Sequence, residues 1–298
     1  MDKTNTDLDD LRREIDEIDE SIHDLLMRRT DVARRIGGIK GTGPSLRPAR
    51  EAVVLRRLVA RHAGPFPKTQ LVGIWREIMA ANLRLQGPFT VAVFAPDENP
   101  GYWRLARDQY GSHTPMMYCQ SPGQVMREVA EDRAAVGILP YPEEEEEEPW
   151  WPLLLGPGKD NPQVIARLPF ADERDRRGAG LHALAVAKLT PEATGDDRSL
   201  LAFETGDEIS RARLHSDLAA AELPARFMAI FRGKRRRTAW QHLIEVDGLV
   251  LASDERVGRF RDLLGDAAGQ VLSLGAYATP LTAEDLGPGD GAGGGAGT

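Results

Sequence analysis

The chain has 298 residues, of which 41% are hydrophobic and 28% charged, the ordinary composition of a soluble globular protein with two or three domains. A formal net charge of −8 disfavours a dedicated nucleic-acid binder, and a single cysteine, Cys119, excludes an internal disulfide. Residues 1–20 lack the apolar segment of a secretory signal, and no apolar run reaches membrane-spanning length. These features predict a cytoplasmic protein.

The first predicted element is a long helix, roughly residues 7–40, with one continuous apolar stripe. The stripe recurs at spacings of three and four and consists of Leu8, Leu11, Ile15, Ile18, Ile22, Leu25, Leu26, Val32, Ile36 and Ile39. A helix of this length spans about 50 Å, so short neighbouring helices cannot cover the stripe. We therefore expect a partner helix from a second subunit.

Three basic residues, Arg12, Arg29 and Lys40, lie on or beside this stripe. A solvated face is the plain alternative for each of them, since Lys and Arg are rarely buried unless paired. Arg29 and Lys40 are three helical turns apart, so their side chains point the same way at a separation of about 16 Å. They could close on one small anion between them. Arg12 could reach that anion only from a second, antiparallel copy.

Two shorter helices are predicted next, at about residues 48–62 and 68–86. Asn82 and Gln86 lie on the apolar side of the third helix, and buried amides need hydrogen-bond partners. One such amide is commonly satisfied by a plain bond between helices. Two in succession, beside several cations, predict a polar pocket.

A specific order of short patterns runs through these helices: L-R-R-E-I-D-x-I-D, L-L-x-R-R, G-x-x-K, R-P-A-R-E-x-x-V-L and N-x-x-x-Q. Together they resemble the all-helical class of chorismate mutases over about residues 7–87. In that family, three helices of one chain intertwine with three of another. Carried over residue by residue, the resemblance assigns active-site positions to Arg12, Arg29, Lys40, Arg50, Glu51, Asn82 and Gln86. Asn82 stands where the enterobacterial member has Ser, and Arg47 where it has Asp.

The resemblance implies the conversion of chorismate to prephenate. This pericyclic rearrangement needs no nucleophile, metal or cofactor. Chorismate is a dianion, and the forked donors of arginine match carboxylates. Arg12 from the partner subunit and Arg29 would clamp the two carboxylates, while Arg50 and Asn82 would support substrate binding.

Negative charge grows on the ether oxygen as the bond to it breaks. Donors aimed at that oxygen supply the largest catalytic contribution in such a site. The resemblance gives this role to Lys40 and Gln86. Glu51 would accept a hydrogen bond from the ring hydroxyl, and positioning of the compact diaxial substrate would supply the rest.

After Gly87-Pro88 the sequence period changes to that of strands and shorter helices. Strands are predicted at 89–95, 116–119, 134–139, 163–169 and 181–188, with helices at 102–110 and 121–132. This order predicts a parallel α/β layer, and it resembles the first lobe of prephenate dehydratase in bifunctional mutase–dehydratase proteins. The Thr-Arg-Phe motif of that family is absent, and Pro-Asp-Glu-Asn-Pro at 96–100 replaces its glycine- and serine-rich turn. We therefore expect a degenerate lobe without dehydratase activity.

Six consecutive glutamates, Glu143 to Glu148, follow the third of these strands. They could bind a hard metal ion, but a run of like charges predicts a solvated loop instead. The apolar residues just beyond them, Trp150, Trp151 and 153–155, are predicted to cover a core edge or a subunit contact.

The last third of the chain has the order strand, helix, strand, strand, helix, strand. These elements are predicted at 199–204, 208–221, 225–231, 239–246, 254–264 and 270–277. The βαββαβ order is ferredoxin-like, and by placement it resembles an ACT regulatory domain, which binds phenylalanine in the bifunctional proteins. Only Gly206 matches the phenylalanine-binding signature, so effector binding is not the favoured interpretation. The KRRR segment at 234–237 predicts a solvated basic hairpin tip.

The sequence thus predicts a multidomain protein: an all-α, intertwined dimeric three-helix domain (1–87), an α/β lobe (88–195), an α+β ferredoxin-like domain (196–284) and a flexible tail (285–298). The favoured function is a homodimeric chorismate mutase of phenylalanine and tyrosine biosynthesis, without metal, membrane or nucleic-acid partners. Two alternatives stay open. One is a bifunctional chorismate mutase–prephenate dehydratase, and the other is a non-catalytic dimeric small-molecule sensor.

Overall fold

A computed structural model of the chain describes residues 3–40, 46–96, 101–155, 161–171, 180–232 and 239–287. The helices in these ranges are α1 (Lys3–Lys40), α2 (Pro48–Arg61), α3 (Lys68–Arg84), α4 (Gly101–Tyr110), α5 (Pro122–Ala130), α6 (Arg211–Ala220), α7 (Glu255–Leu264) and α8 (Ala283–Leu286). The strands are β1 (Val91–Phe94), β2 (Met116–Cys119), β3 (Val136–Pro140), β4 (Gln163–Leu168), β5 (Ala183–Ala187), β6 (Asp197–Thr205), β7 (Ala225–Arg232), β8 (Trp240–Asp247) and β9 (Leu272–Ala278). The predicted order of helices and strands is confirmed.

The three N-terminal helices are placed differently from one another. Helices α2 and α3 pack against the α/β part of the chain, where Leu55 and Val72 share a core with Phe170, Leu281 and Leu286. Helix α1 contacts α3 near their C-terminal ends, and the apolar stripe on the rest of α1 is exposed. The single chain therefore does not bury the stripe, as expected from its length.

All nine strands of the described residues belong to one sheet, in the order β2-β1-β3-β5-β4-β9-β6-β8-β7. Strands β2, β1 and β3 are parallel, and α4 and α5 are the crossovers between them. Helix α5 lies so close to β3 that a Cβ added at Gly137 would be 2.6 Å from Cγ1 of Val125. The predicted parallel α/β layer is confirmed.

The last four strands pair in the order β9-β6-β8-β7, all antiparallel, with α6 and α7 packed on one face. This is the sheet of a ferredoxin-like βαββαβ unit. Strand β9 also pairs with β4 at Val164 and Gly275. A Cβ at Gly275 would meet the Val164 backbone oxygen at 2.3 Å, and its φ is +126°, so glycine is required there. The α/β lobe and the ferredoxin-like unit, which together form the rear part of the chain beyond residue 87, therefore share one sheet. The division between them at residues 195 and 196 stays a prediction.

The segment after β3 behaves as predicted. Five of the six glutamates at 143–148 are exposed, and Glu146 is half-buried. Trp150, Trp151 and Leu154 are buried in the core between the lobe and the ferredoxin-like sheet.

The predicted tail begins too early. Helix α8 extends to Leu286. The side chain of Leu286 is buried against α2 and α3, because burial in their apolar core removes it from water. Residues 288–298 and the KRRR segment at 234–237 lie outside the described residues. In the ranges that the structure describes, no helix is long and apolar enough to cross a membrane, and no three His, Cys, Asp or Glu side chains are grouped to hold a metal ion.

Candidate active site

The C-terminal ends of α1 and α3 meet at Gly37 and Gln86. A Cβ at Gly37 would lie 3.2 Å from Cγ and 3.6 Å from Cδ of Gln86. Glycine at this position lets the Gln86 side chain lie directly against the α1 backbone. Lys40 ends α1 one turn further on, and its side chain lies outside the described residues. The backbone thus brings two predicted donors, Lys40 and Gln86, to the same end of the helical unit.

Asn82 is buried one turn before Gln86, as the spacing predicted. Its Nδ2 donates to the carbonyl oxygen of Ile78 at 2.7 Å. Its Oδ1 is buried and has no hydrogen-bond partner among the described residues. A buried amide oxygen left in this way costs free energy unless a donor reaches it. Asn82 therefore presents an acceptor to whatever fills the space beside it.

The three predicted site cations of α1, Arg12, Arg29 and Lys40, are spread along its length. Arg29 is half-buried, and burial lowers the pKa of its guanidinium. Arg12 is exposed and donates to Oδ1 of Asp9 at 3.1 Å. By helical rise, Arg12 lies about 38 Å from Gly37 along the axis. Within one chain, Arg12 cannot take part in a site that contains Gln86.

The first turn of α2 holds the two remaining predicted residues, which face different surroundings. Arg50 is exposed. Glu51 points between α2 and α3, where Nη1 of Arg76 donates to its Oε2 at 2.7 Å. Burial raises the pKa of the Glu51 carboxyl, and the Arg76 charge opposes that shift. Glu51 is thus already paired within the chain. The sequence predicted it only as the acceptor of a substrate hydroxyl and gave no partner within the chain.

Arg76 is a buried cation that the sequence analysis missed. Its side chain is only 5% exposed, and burial lowers its pKa, opposed by the charge of Glu51. A signal was present in the sequence. Val72, Arg76 and Ala80 recur at spacings of four on the buried face of α3, so a cation stood in an otherwise apolar row. Buried arginines need anionic partners, and Glu51 was the candidate on the preceding helix.

Much of the apolar surface that surrounds this region is uncovered in one chain. The exposed large apolar side chains of α1, of α3 and of the residue that follows α3 are Leu8, Leu11, Ile15, Ile18, Ile22, Leu25, Met27, Val32, Ile36, Ile74 and Leu85. Soluble proteins rarely leave contiguous apolar stripes of this size in water. The predicted site therefore borders a large apolar surface that a single chain leaves exposed.

Three N-terminal helices, with the amides of Asn82 and Gln86 near the point where α1 meets α3, define an all-helical class of domain. Residues 11–87 match the family model of chorismate mutase type II. The recognition made from the sequence patterns is confirmed.

Curated relatives extend the likeness beyond the helices. The bifunctional chorismate mutase/prephenate dehydratase of Neisseria gonorrhoeae is 33% identical over 129 residues, which cover 43% of this chain and 35% of the relative. The protein of the same description from Aquifex aeolicus is 34% identical over 140 residues, covering 45% and 38%. Both alignments are longer than the segment 11–87, so the similarity continues past α3. The chain spans little more than a third of the length of these relatives.

One solved structure resembles about two thirds of the chain in fold, and a second aligns less well. GqqA, described as a novel type of quorum-quenching acylase, aligns with a TM-score of 0.50 at 17% identity, covering 68% of this chain and all of that one. The prephenate dehydratase of Streptococcus mutans aligns with a TM-score of 0.45 at 14% identity, covering 65% and 99%. At these identities the likeness to GqqA concerns the fold alone.

Proposed function

We propose that this protein is a chorismate mutase that rearranges chorismate to prephenate in the biosynthesis of aromatic amino acids. The observation that carries the proposal is the meeting of Gln86 with α1 at Gly37, one turn from Lys40, inside a segment that matches chorismate mutase type II. The buried oxygen of Asn82 has no hydrogen-bond partner among the described residues, which supports a site that is completed by a ligand or by a second subunit.

In the proposed mechanism, the helices hold chorismate in its compact diaxial form and stabilise the charge that develops as the ether bond breaks. Arg29 of one subunit and Arg12 of the other bind the two carboxylates, and Arg50 adds positive potential nearby. Lys40 and Gln86 donate hydrogen bonds to the ether oxygen, which becomes more negative in the transition state.

Two further polar residues would bind the rest of the substrate. Asn82 binds through the amide oxygen that lacks a partner within the described chain. Glu51 accepts from the ring hydroxyl, while its other interaction, with Arg76, opposes the rise in its pKa that burial causes. No covalent intermediate forms, so these groups act by orientation and electrostatics.

A homodimer is part of the proposal. The uncovered stripe on α1 supports it, because a second α1 running antiparallel would cover that stripe and bring Arg12 to the far site. We propose the cytoplasm as the compartment, since the sole cysteine is a buried free thiol.

For the rear part we propose a supporting role without dehydratase activity. The absent Thr-Arg-Phe motif and the exposed glutamates at 143–148, which would repel an anionic substrate, support this view. The curated relatives are bifunctional, so the alternative activity has a direct test. Binding of an aromatic amino acid to the ferredoxin-like unit is open to the same assay.

The deciding experiment follows chorismate consumption optically with purified protein and then tests the product for phenylpyruvate. Consumption that yields prephenate supports the proposal, and Lys40→Ala or Gln86→Ala should lower kcat by about 100-fold or more. Phenylpyruvate formed without added acid would establish the bifunctional alternative. A protein that consumes no chorismate would contradict the proposed function and favour the binding-protein alternative.

A further inference from the structure

The ion pair between Glu51 and Arg76 is contacted by residues that lie outside the helical domain. Arg76 lies on the face of α3 that is packed against the rear part of the chain, and its guanidinium carbon is 5.2 Å from the centre of the Phe170 ring. In the amide orientation that satisfies both groups, the Gln109 oxygen accepts from Nη1 and Nη2 of Arg76 at 3.0 and 3.3 Å. Phe170 and Gln109 lie beyond residue 87, so two residues of the rear part fix the cation that binds Glu51.

The geometry limits Arg76 to a few orientations. A guanidinium that stacks on an aromatic ring and donates in its own plane to an amide and a carboxylate has its planar fork defined by three partners. Tyr110, also in the rear part, packs at the same place, and its buried hydroxyl has no hydrogen-bond partner among the described residues. The charges of Glu51 and Arg76 act on this phenol in opposite directions. Among the described residues, Glu51 is the only carboxylate paired with Arg76.

From these contacts we infer that the rear part is a component of the mutase site, because it holds Glu51 through Arg76, a positioning residue that does not touch substrate. The inference rests on the proposed function, in which Glu51 accepts from the ring hydroxyl of chorismate. It gives the rear part a role that requires neither dehydratase chemistry nor effector binding. Glu51 needs this support because burial alone raises the pKa of its carboxyl, and the positive charge of Arg76 opposes that rise.

The test uses the full chain and four variants. Phe170→Leu and Gln109→Leu leave Glu51 and Arg76 unchanged but each removes one contact between the rear part and the Arg76 guanidinium. Arg76→Lys keeps the charge and loses the planar fork. Arg84→Met is the matched control, because Arg84 is also on α3 and donates to the rear part, at the carbonyl oxygen of His113, without touching Glu51.

We expect Phe170→Leu and Gln109→Leu to lower kcat about tenfold, and to move the acidic limb of the kcat/KM profile to higher pH. Arg76→Lys should lower kcat with a smaller movement of that limb, since the positive charge remains. Arg84→Met should match the wild type in both. The inference is overturned if Phe170→Leu and Gln109→Leu behave like Arg84→Met in an active enzyme.

A second measurement separates this inference from the proposed function. If the wild type does not turn over chorismate, the proposed function is wrong. The positioning of Glu51 by the rear part through Arg76 is then tested by thermal unfolding. Glu51→Gln should then lower Tm less in the Phe170→Leu background than in the wild type, because the two changes weaken one network. Equal losses in both backgrounds would overturn the inference whatever the activity.

Discussion

The hydroxyl of Tyr141 donates to Oε1 of Glu245 at 2.6 Å and thereby joins the lobe to the ferredoxin-like unit. Tyr277 donates to the same carboxylate oxygen, and Arg198 donates to Oε2 at 3.2 Å. Glu245 is almost completely buried, and such a carboxylate is tolerated because donors surround it. The network shows that the two rear parts are packed as one body, beyond the pairing of β4 with β9.

The first prediction concerns the stability of this network. Tyr141→Phe should lower the free energy of unfolding by about 1.5–3 kcal/mol, the usual value of a hydrogen bond to a charged group. Glu245→Leu should cost more, about 3–5 kcal/mol, since two hydroxyls and Arg198 lose their acceptor in a buried place. Urea unfolding checks both values. Tyr118→Phe is the control, because Tyr118 is 60% exposed on the edge strand β2. Equal stabilities of Tyr141→Phe and Tyr118→Phe would count against the network.

The second prediction compares two adjacent glycines of α1. A Cβ at Gly37 would press on Gln86 at 3.2 Å, whereas one at Gly38 would meet nothing within 4 Å in the described chain. Gly37→Ala should displace the Gln86 amide by a few tenths of an ångström and lower kcat about tenfold. Gly38→Ala, which brings the same gain in helix propensity, should leave kcat near the wild-type value. If both variants keep full turnover, Gln86 does not act where its contact with α1 indicates.

The third prediction tests the donation of Arg12 between subunits. Arg12→Ala and Lys40→Ala should each be inactive as homodimers, because every site lacks one group. A heterodimer of the two variants contains one site with both groups and one with neither. Unfolding and refolding an equal mixture should therefore restore about a quarter of the wild-type turnover, from the statistical share of intact sites. A mixture that stays inactive, while refolded wild type recovers, would exclude an Arg12 that serves the partner's site.

The fourth prediction is a pH dependence that comes from His242. Its imidazole is fully buried, stacks on Phe203 with ring centres 4.7 Å apart, and has Nε2 2.9 Å from Oγ1 of Thr205. Burial lowers its pKa from 6.5 to about 4. Below pH 6.5 the unfolded chain therefore binds a proton that the folded chain does not. Stability falls as the pH drops from 6.5 towards 4, by roughly 3 kcal/mol in all.

The measurement for His242 is the free energy of urea unfolding between pH 7 and pH 5, a range above most carboxyl pKa values. The wild type should lose up to about 1.4 kcal/mol for each pH unit below 6.5 from this residue, and His242→Gln should lose correspondingly less. His215→Gln, on the exposed face of α6, is the control. If the free energy of unfolding of wild type and His242→Gln depends on pH in the same way, His242 is not the source of the predicted loss of stability.

Much of the fold could be predicted because the relevant signals are local. The apolar spacing of α1, the proline at the start of α2 and the order βαββαβ predicted their elements within a few residues. The same holds for Trp151, whose burial beside an exposed glutamate run follows from hydrophobicity alone. The candidate site residues were assigned by pattern, and their roles stay proposals.

Other features could not be predicted because they depend on which distant surfaces meet. The apolar row of α3 marks Arg76 as a buried cation, but no local pattern shows that it contacts Gln109 and Phe170 as well as Glu51. The prediction that the tail begins at residue 285 was wrong for the same reason. Leu286 is buried only because α2 and α3 provide a core for it.

The sequence by itself determined the helices and strands, the exposed apolar stripe of α1 and the family of residues 11–87, because periodicity and short motifs are carried by neighbours along the chain. Only the tertiary structure decided that the lobe and the ferredoxin-like unit share a sheet at Gly275, and that the rear part holds Arg76 against Glu51. Burial and buried ion pairing depend on contacts between residues far apart in the chain, and no local pattern specifies which of these surfaces will pack together.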